Sequence, residues 1–111
     1  MSKAKKDQLS GTLDLLILKT LAQAGATHGY GIVLYIQRVT GDLLRVEEGS
    51  LYPALHRIEH AGWISSEWRT SKNNRRAKYY RLTAAGRIQL EREQESWDRV
   101  VQGVSSLLRF A

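Results

Sequence analysis

The chain has 111 residues, 17 Lys and Arg against 11 Asp and Glu, one Pro and no Cys. That length predicts one domain with a modest core, whose stability leans on a partner subunit. The missing cysteines exclude a disulfide framework, a thiol nucleophile and thiolate zinc sites, and the apolar stretches fall well short of the ~20 residues of a membrane-spanning helix.

The start, MSKAKKDQLSGT, carries lysines but no apolar block of the signal-peptide kind, because Asp14 and Lys19 break up the run around Leu13 to Leu18. A soluble, cytoplasmic protein without a membrane partner is expected, with residues 1–9 as a mobile basic arm. A first helix is predicted from Thr12, as cap, to about Ala24. Leu13, Leu16, Ile17, Leu21 and Ala24 form one apolar stripe, and Leu15, Leu18 and Ala22 a second. A short helix apolar nearly all round is covered on both sides, and in so small a chain the second cover is expected to be another subunit. Gly25 ends it. Gly29 and Gly31 then bracket Tyr30 and open a second helix to about Val39. They do not form a dinucleotide fingerprint, since the third glycine of that motif would fall at Leu34.

The third helix is LYPALHRIEHAGW, with Ser50 as expected cap, Pro53 in the first turn and Gly62 after the last. At 100° per residue, Leu51, Ala54, Leu55, Ile58 and Ala61 share one face. Tyr52, Pro53, His56, Arg57 and His60 lie around the other. A hydroxyl, a guanidinium and two imidazoles are groups that donate to phosphates or base edges.

Two extended runs follow. Trp63 to Arg69 places Ile64 and Trp68 on one side, and Ala77 to Leu82 is a β-prone strand whose alternation buries Tyr80 with Leu82. Between them Asn73-Asn74 suits a turn with positive φ. Thr83 then caps a long helix from Ala84 to about Arg109. Leu90, Trp97, Val101, Val104 and Leu108 recur at spacings of seven and four, a heptad-like seam for subunit contact, with Leu13, Leu16 and Ile17 of the first helix joining it.

The formal charge is +6, and Arg69, Lys72, Arg75, Arg76, Lys78 and Arg81 account for all of it. Such concentration points to a polyanion, or else to a solvated loop. Three helices followed by a hairpin with a basic tip form the layout of a winged helix-turn-helix. The expected fold class is therefore mainly α with a small β-hairpin: a winged helix-turn-helix over residues 10–83 and a C-terminal dimerisation helix over 84–111. The third helix would enter the major groove and the wing tip would meet phosphates.

The blocks LDLLILKTLAQAGATHGYGIVLYIQ, EEGSLYPALHRIEHAGWI and RRAKYYRLTAAGR resemble the signature blocks of the PadR family of transcriptional regulators, over about Leu13 to Arg87. The single helix after the wing resembles its shorter subgroup. The resemblance implies a homodimeric repressor on a pseudo-palindromic double-stranded operator, responsive to a small-molecule effector. By position it implies Ser50, Tyr52, Pro53, His56 and Arg57 as recognition-helix residues. It also implies Lys72, Asn73, Asn74, Arg75, Arg76 and Lys78 as wing residues, with Tyr30 as a backbone contact. Some members sandwich flat aromatic ligands between tryptophans of the C-terminal helix, and Trp97 lies in a comparable stretch. Its place on the seam equally suits plain interface packing.

Three other readings compete. His56-Arg57-Ile58-Glu59-His60 matches the H-x-x-E-H zinc peptidase pattern, but a third ligand is wanting and His28 is the only other histidine. No serine sits in a nucleophile elbow, so no enzyme, metal or cofactor is expected. Tyr79-Tyr80 beside basic residues could stack single-stranded RNA, or the hairpin could dock a protein adaptor.

Overall fold

The computed structural model describes residues 2–110, with side chains from residue 12 onward. The described residues form α1 (Ser2–Ala24), β1 (Thr27–His28), α2 (Gly29–Val39), α3 (Glu48–His60), β2 (Ile64–Thr70), β3 (Arg76–Leu82) and α4 (Ala84–Arg109). The chain is mainly helical, and its antiparallel sheet has the order β1-β3-β2. This is the expected winged-helix class with one strand more than the sequence indicated. β1 is only two residues long, too short to carry an alternation. It pairs Thr27 with Tyr80 and His28 with Tyr79, which ties the wing to the start of α2.

The core is built where the apolar faces of all the helices converge under the sheet. Ile17, Leu18 and Leu21 of α1 meet Ile32, Val33 and Ile36 of α2 and Leu51, Ala54, Leu55 and Ile58 of α3. Ile64, Tyr80 and Leu90 close it. Burying an aliphatic side chain of this kind contributes about 1.5–3 kcal/mol. Two expectations for the subunit contact are corrected here. Ile17 is fully enclosed by its own chain and Leu90 is 8% exposed, so both serve the internal core. The first turns of α4 lie against α1, giving Leu90 the cover that the sequence reading did not foresee. Leu13 and Leu16 are half-buried against the same core.

Helix boundaries shift for physical reasons. α1 begins at Ser2, so Thr12 lies within it and does not cap it. The basic arm expected at residues 1–9 falls outside the described side chains. Glu47, not Ser50, is the cap residue of α3, and Glu48 stands in its first turn beside the positive helix end. The backbone N–H groups of Ser50 and Leu51 both donate to the Glu47 carbonyl. Pro53 therefore lies in the second turn, where its missing N–H withdraws one helical bond from the Gly49 carbonyl. Gly49 is exposed, so water can replace that donor.

α3 ends as the sequence predicts. Gly62 adopts φ +85° and Trp63 N–H donates back to the Ile58 carbonyl, 3.1 Å away. The same corner anchors α4. Thr83 Oγ1 accepts from Gly86 N–H at 3.0 Å, capping α4, and its hydroxyl donates to the Gly62 carbonyl at 2.7 Å. A Cβ at Gly86 would lie 1.9 Å from the Trp63 carbonyl oxygen, so this helix start tolerates glycine alone.

Candidate nucleic-acid interface

The burial of α3 divides it along its length. Leu51, Ala54, Leu55 and Ile58 are buried, while Ser50, Tyr52, Pro53, His56, Arg57 and His60 are exposed. Amphipathicity alone therefore presents a polar and aromatic ridge outward. Ala61 departs from the expected buried face because it already caps the helix end and is exposed.

Tyr52 leans on the start of α2. A Cβ at Gly29 would lie 2.8 Å from its ring, so the absent side chain makes room for the tyrosine. His28 caps α2, its Nδ1 accepting from Gly31 N–H at 3.0 Å. Tyr30 follows, half exposed. Between this corner and the wing runs a cleft of about 440 Å³, lined by Tyr30, Tyr52, Trp68, Arg76 and Lys78 among others. The structure thus gathers Tyr30, Tyr52, Arg76 and Lys78 around one concavity.

The strand register sorts the cations of the wing. Trp68 stands opposite Lys78, Ser66 opposite Tyr80 and Thr70 opposite Arg76, so these residues share the face turned toward α3. Arg69, Arg81 and Tyr79 share the other face with Glu67. There Arg69 donates to Glu67 at 2.9 Å, and Arg81 lies 4.0 Å from the same carboxylate. Arg69 holds the Glu67 carboxyl below its ordinary range, chiefly by that hydrogen bond. Lys78 faces Glu59 of α3 at 3.9 Å. Among the described residues, Lys72, Arg75 and Arg76 alone of the six have no carboxylate partner, and Arg76 lies over the Trp68 ring at 5.1 Å. The six-cation surplus read from the sequence is therefore concentrated, in effect, at the wing tip. The tip turn, residues 71–75, places Asn74 at φ +59°, with Asn73 beside it.

Three features were not anticipated. Trp68 shares the face of Ile64 yet is exposed, because the hairpin outruns the helices beneath it. Glu59 accepts from the Ser66 hydroxyl, linking α3 to the wing. Arg57 does not project freely: its guanidinium donates to Asp14 of α1. Burial pushes the Asp14 carboxyl above its ordinary range, and Arg57 offsets that only in part. Asp14 stands out in the sequence only as a break in the apolar run of the first helix. Nothing in the sequence paired it with a residue 43 positions away.

Beyond Glu93, α4 is exposed on nearly all sides. Trp97, Val101, Val104 and Leu108 are exposed as the seam requires, and Val100 and Leu107 stand beside them. Those six span about 120° of the helix, wider than a strict heptad seam. Among the described residues no three His, Cys, Asp or Glu side chains converge on a metal-holding geometry, His56 and His60 included. No helix of the described residues is long and apolar enough to cross a membrane.

Residues 17–92 match the family described as the transcriptional regulator PadR-like family. A transcriptional regulator from Clostridium thermocellum superposes with a TM-score of 0.80 at 30% identity, over 90% of this chain and 96% of that one. A PadR-like transcriptional regulator from Bacillus cereus gives 0.77 at 30% identity, over 95% and 99%. Transcriptional regulator Rv3488 of Mycobacterium tuberculosis is 38% identical over 60 residues, 54% of this chain and 55% of that protein. With a matched segment that runs from the core of α1 through the wing into α4, the chain belongs to the PadR-like family of DNA-binding transcriptional regulators.

Proposed function

We propose that the chain acts as a homodimeric repressor that grips a pseudo-palindromic operator and is released by a small aromatic effector. The observation that carries the reading is the cleft that gathers Tyr30 and Tyr52 with Arg76 and Lys78, on a wing whose Lys72, Arg75 and Arg76 have no carboxylate partner among the described residues. In this reading α3 enters the major groove with Ser50, Tyr52, Pro53 and His56 toward base edges. Tyr30 and Lys78 meet the flanking backbone, and Lys72 to Arg76 neutralise phosphates. Support for pairing is the apolar stripe of α4, where Leu107 and Leu108 are each 75% exposed. A contiguous exposed apolar stripe of this kind marks an interaction surface. Two chains joined there would set their α3 helices about 34–36 Å apart, one turn of DNA. Trp97 on the stripe is the candidate wall for a flat aromatic effector.

The RNA alternative is weakened by the tyrosine pair. Tyr80 is buried, and Arg69 lies over one face of Tyr79, whose ring also makes a T-shaped contact with His28, so the two tyrosines do not form a paired stacking platform. Selection from a random duplex pool tests the proposal. The expected result is a two-fold symmetric sequence with half-sites one turn apart. Recovery of no preferred duplex, or better retention of single-stranded RNA, overturns it.

A further inference from the structure

Arg57 occupies the exposed side of α3 but is spoken for. Its guanidinium donates to Asp14, whose side chain is 11% exposed. We infer that Arg57 is a positioning residue: clasped by the enclosed carboxylate of Asp14, it fixes the seat of α3 against α1, and DNA contact falls to its neighbours Tyr52, Pro53 and His56. The inference rests on the duplex-binding reading above and deepens it.

Three observations carry it. Drawing Arg57 away to a phosphate would leave the Asp14 carboxylate shielded from water without its partner, a larger loss than an exposed phosphate contact returns. On the opposite flank of α3, Glu59 accepts from Ser66 and faces Lys78, so the reading helix is braced on both sides in its last turn. Asp14 also lies within electrostatic reach of Glu93 on α4. The pair therefore stands where α1, α3 and α4 meet. It is a polar link between α3 and α1, and α1 in turn packs against α4, so the seat of α3 relative to the tail runs through α1.

The test uses the full chain. Wild-type protein first selects its preferred duplex from a random pool; failure at that step overturns the duplex reading itself. Asp14→Ala, Arg57→Ala and the double variant are then titrated against preferred and scrambled duplexes over a range of salt, with helicity and thermal melting recorded. Positioning predicts that Asp14→Ala lowers the preferred-to-scrambled ratio roughly tenfold, the order of one spoiled base-pair contact, although it makes the chain more positive. Arg57→Ala does the same, the double variant is no worse than either single, and the salt slope on scrambled duplex holds at the wild-type value. A guanidinium that touches DNA predicts the reverse: Asp14→Ala binds as tightly as wild type or more tightly, and Arg57→Ala lowers the slope by about one. Should Asp14→Ala fail to fold, Asp14→Asn keeps a carbonyl acceptor for Arg57. Positioning then predicts an intermediate loss of selectivity, and unchanged or tighter binding by that variant overturns the inference.

Discussion

Lys72, Arg75 and Arg76 differ from the other wing cations in what surrounds them, and that difference decides what each substitution does. Removing Arg75 and Arg76 together, by alanine, takes away two charges that no carboxylate neutralises. The expected result is weaker binding to every duplex and a salt slope smaller by about two. Arg69→Ala, by contrast, removes a charge already held by Glu67 and leaves the slope nearly unchanged. Filter-binding titrations at several salt concentrations check both. Gly29→Ala pushes a methyl into the Tyr52 ring, which must move. It is expected to impair discrimination between duplexes more than it impairs non-specific binding, and a parallel titration on scrambled DNA checks that. At this scale the sequence was a good guide to which α3 residues face outward, because helical periodicity fixes that. It was a poor guide to which cations are free. Glu59 reaches Lys78 through helix–hairpin packing and Glu67 reaches Arg81 across the strand register, and neither pairing can be read along the chain, whereas Glu67 beside Arg69 follows from strand alternation.

Elements meet at a few tight points, and these predict stability. Gly86→Ala drives a Cβ into the Trp63 carbonyl, so the start of α4 must shift off the α3–β2 corner. A loss of about 1–3 kcal/mol is expected, read by urea denaturation. Gly103 has nothing within 4 Å of its would-be Cβ. Gly103→Ala is therefore expected to stabilise α4 by up to about 1 kcal/mol, visible as a higher melting temperature. The helices, the hairpin and the Thr83 cap were all legible from apolar period, capping residues and turn chemistry. β1 was not, because two residues carry no period and their pairing with β3 is made by the tertiary fold. The start of α3 was misjudged for a related reason. Ser50 is the better cap by residue type, yet the helix runs back to Glu48, with the N–H groups of Ser50 and Leu51 bonded to the Glu47 carbonyl, and leaves Pro53 in its second turn.

For the whole molecule, the division of labour along α4 is the deciding feature. Its first turns complete the core through Gly86 and Leu90, and its remainder carries an apolar stripe into solvent. A heptad reading of the sequence located the stripe but assigned Leu90 to it as well, because spacing alone does not tell internal cover from external cover. Val101→Asp with Val104→Asp would place charges on that stripe without touching the winged helix. The pair of changes is expected to leave the fold intact, abolish association of two chains and lower operator affinity strongly, as measured by sedimentation and DNA titration. The central claim is that two chains, joined by their tails, hold one duplex. Its most direct measurement is the mass of the complex formed with a selected duplex, by analytical ultracentrifugation at low salt. The account predicts two chains per duplex, with the protein already paired before DNA is added; one chain per duplex, or no complex at all, would contradict it.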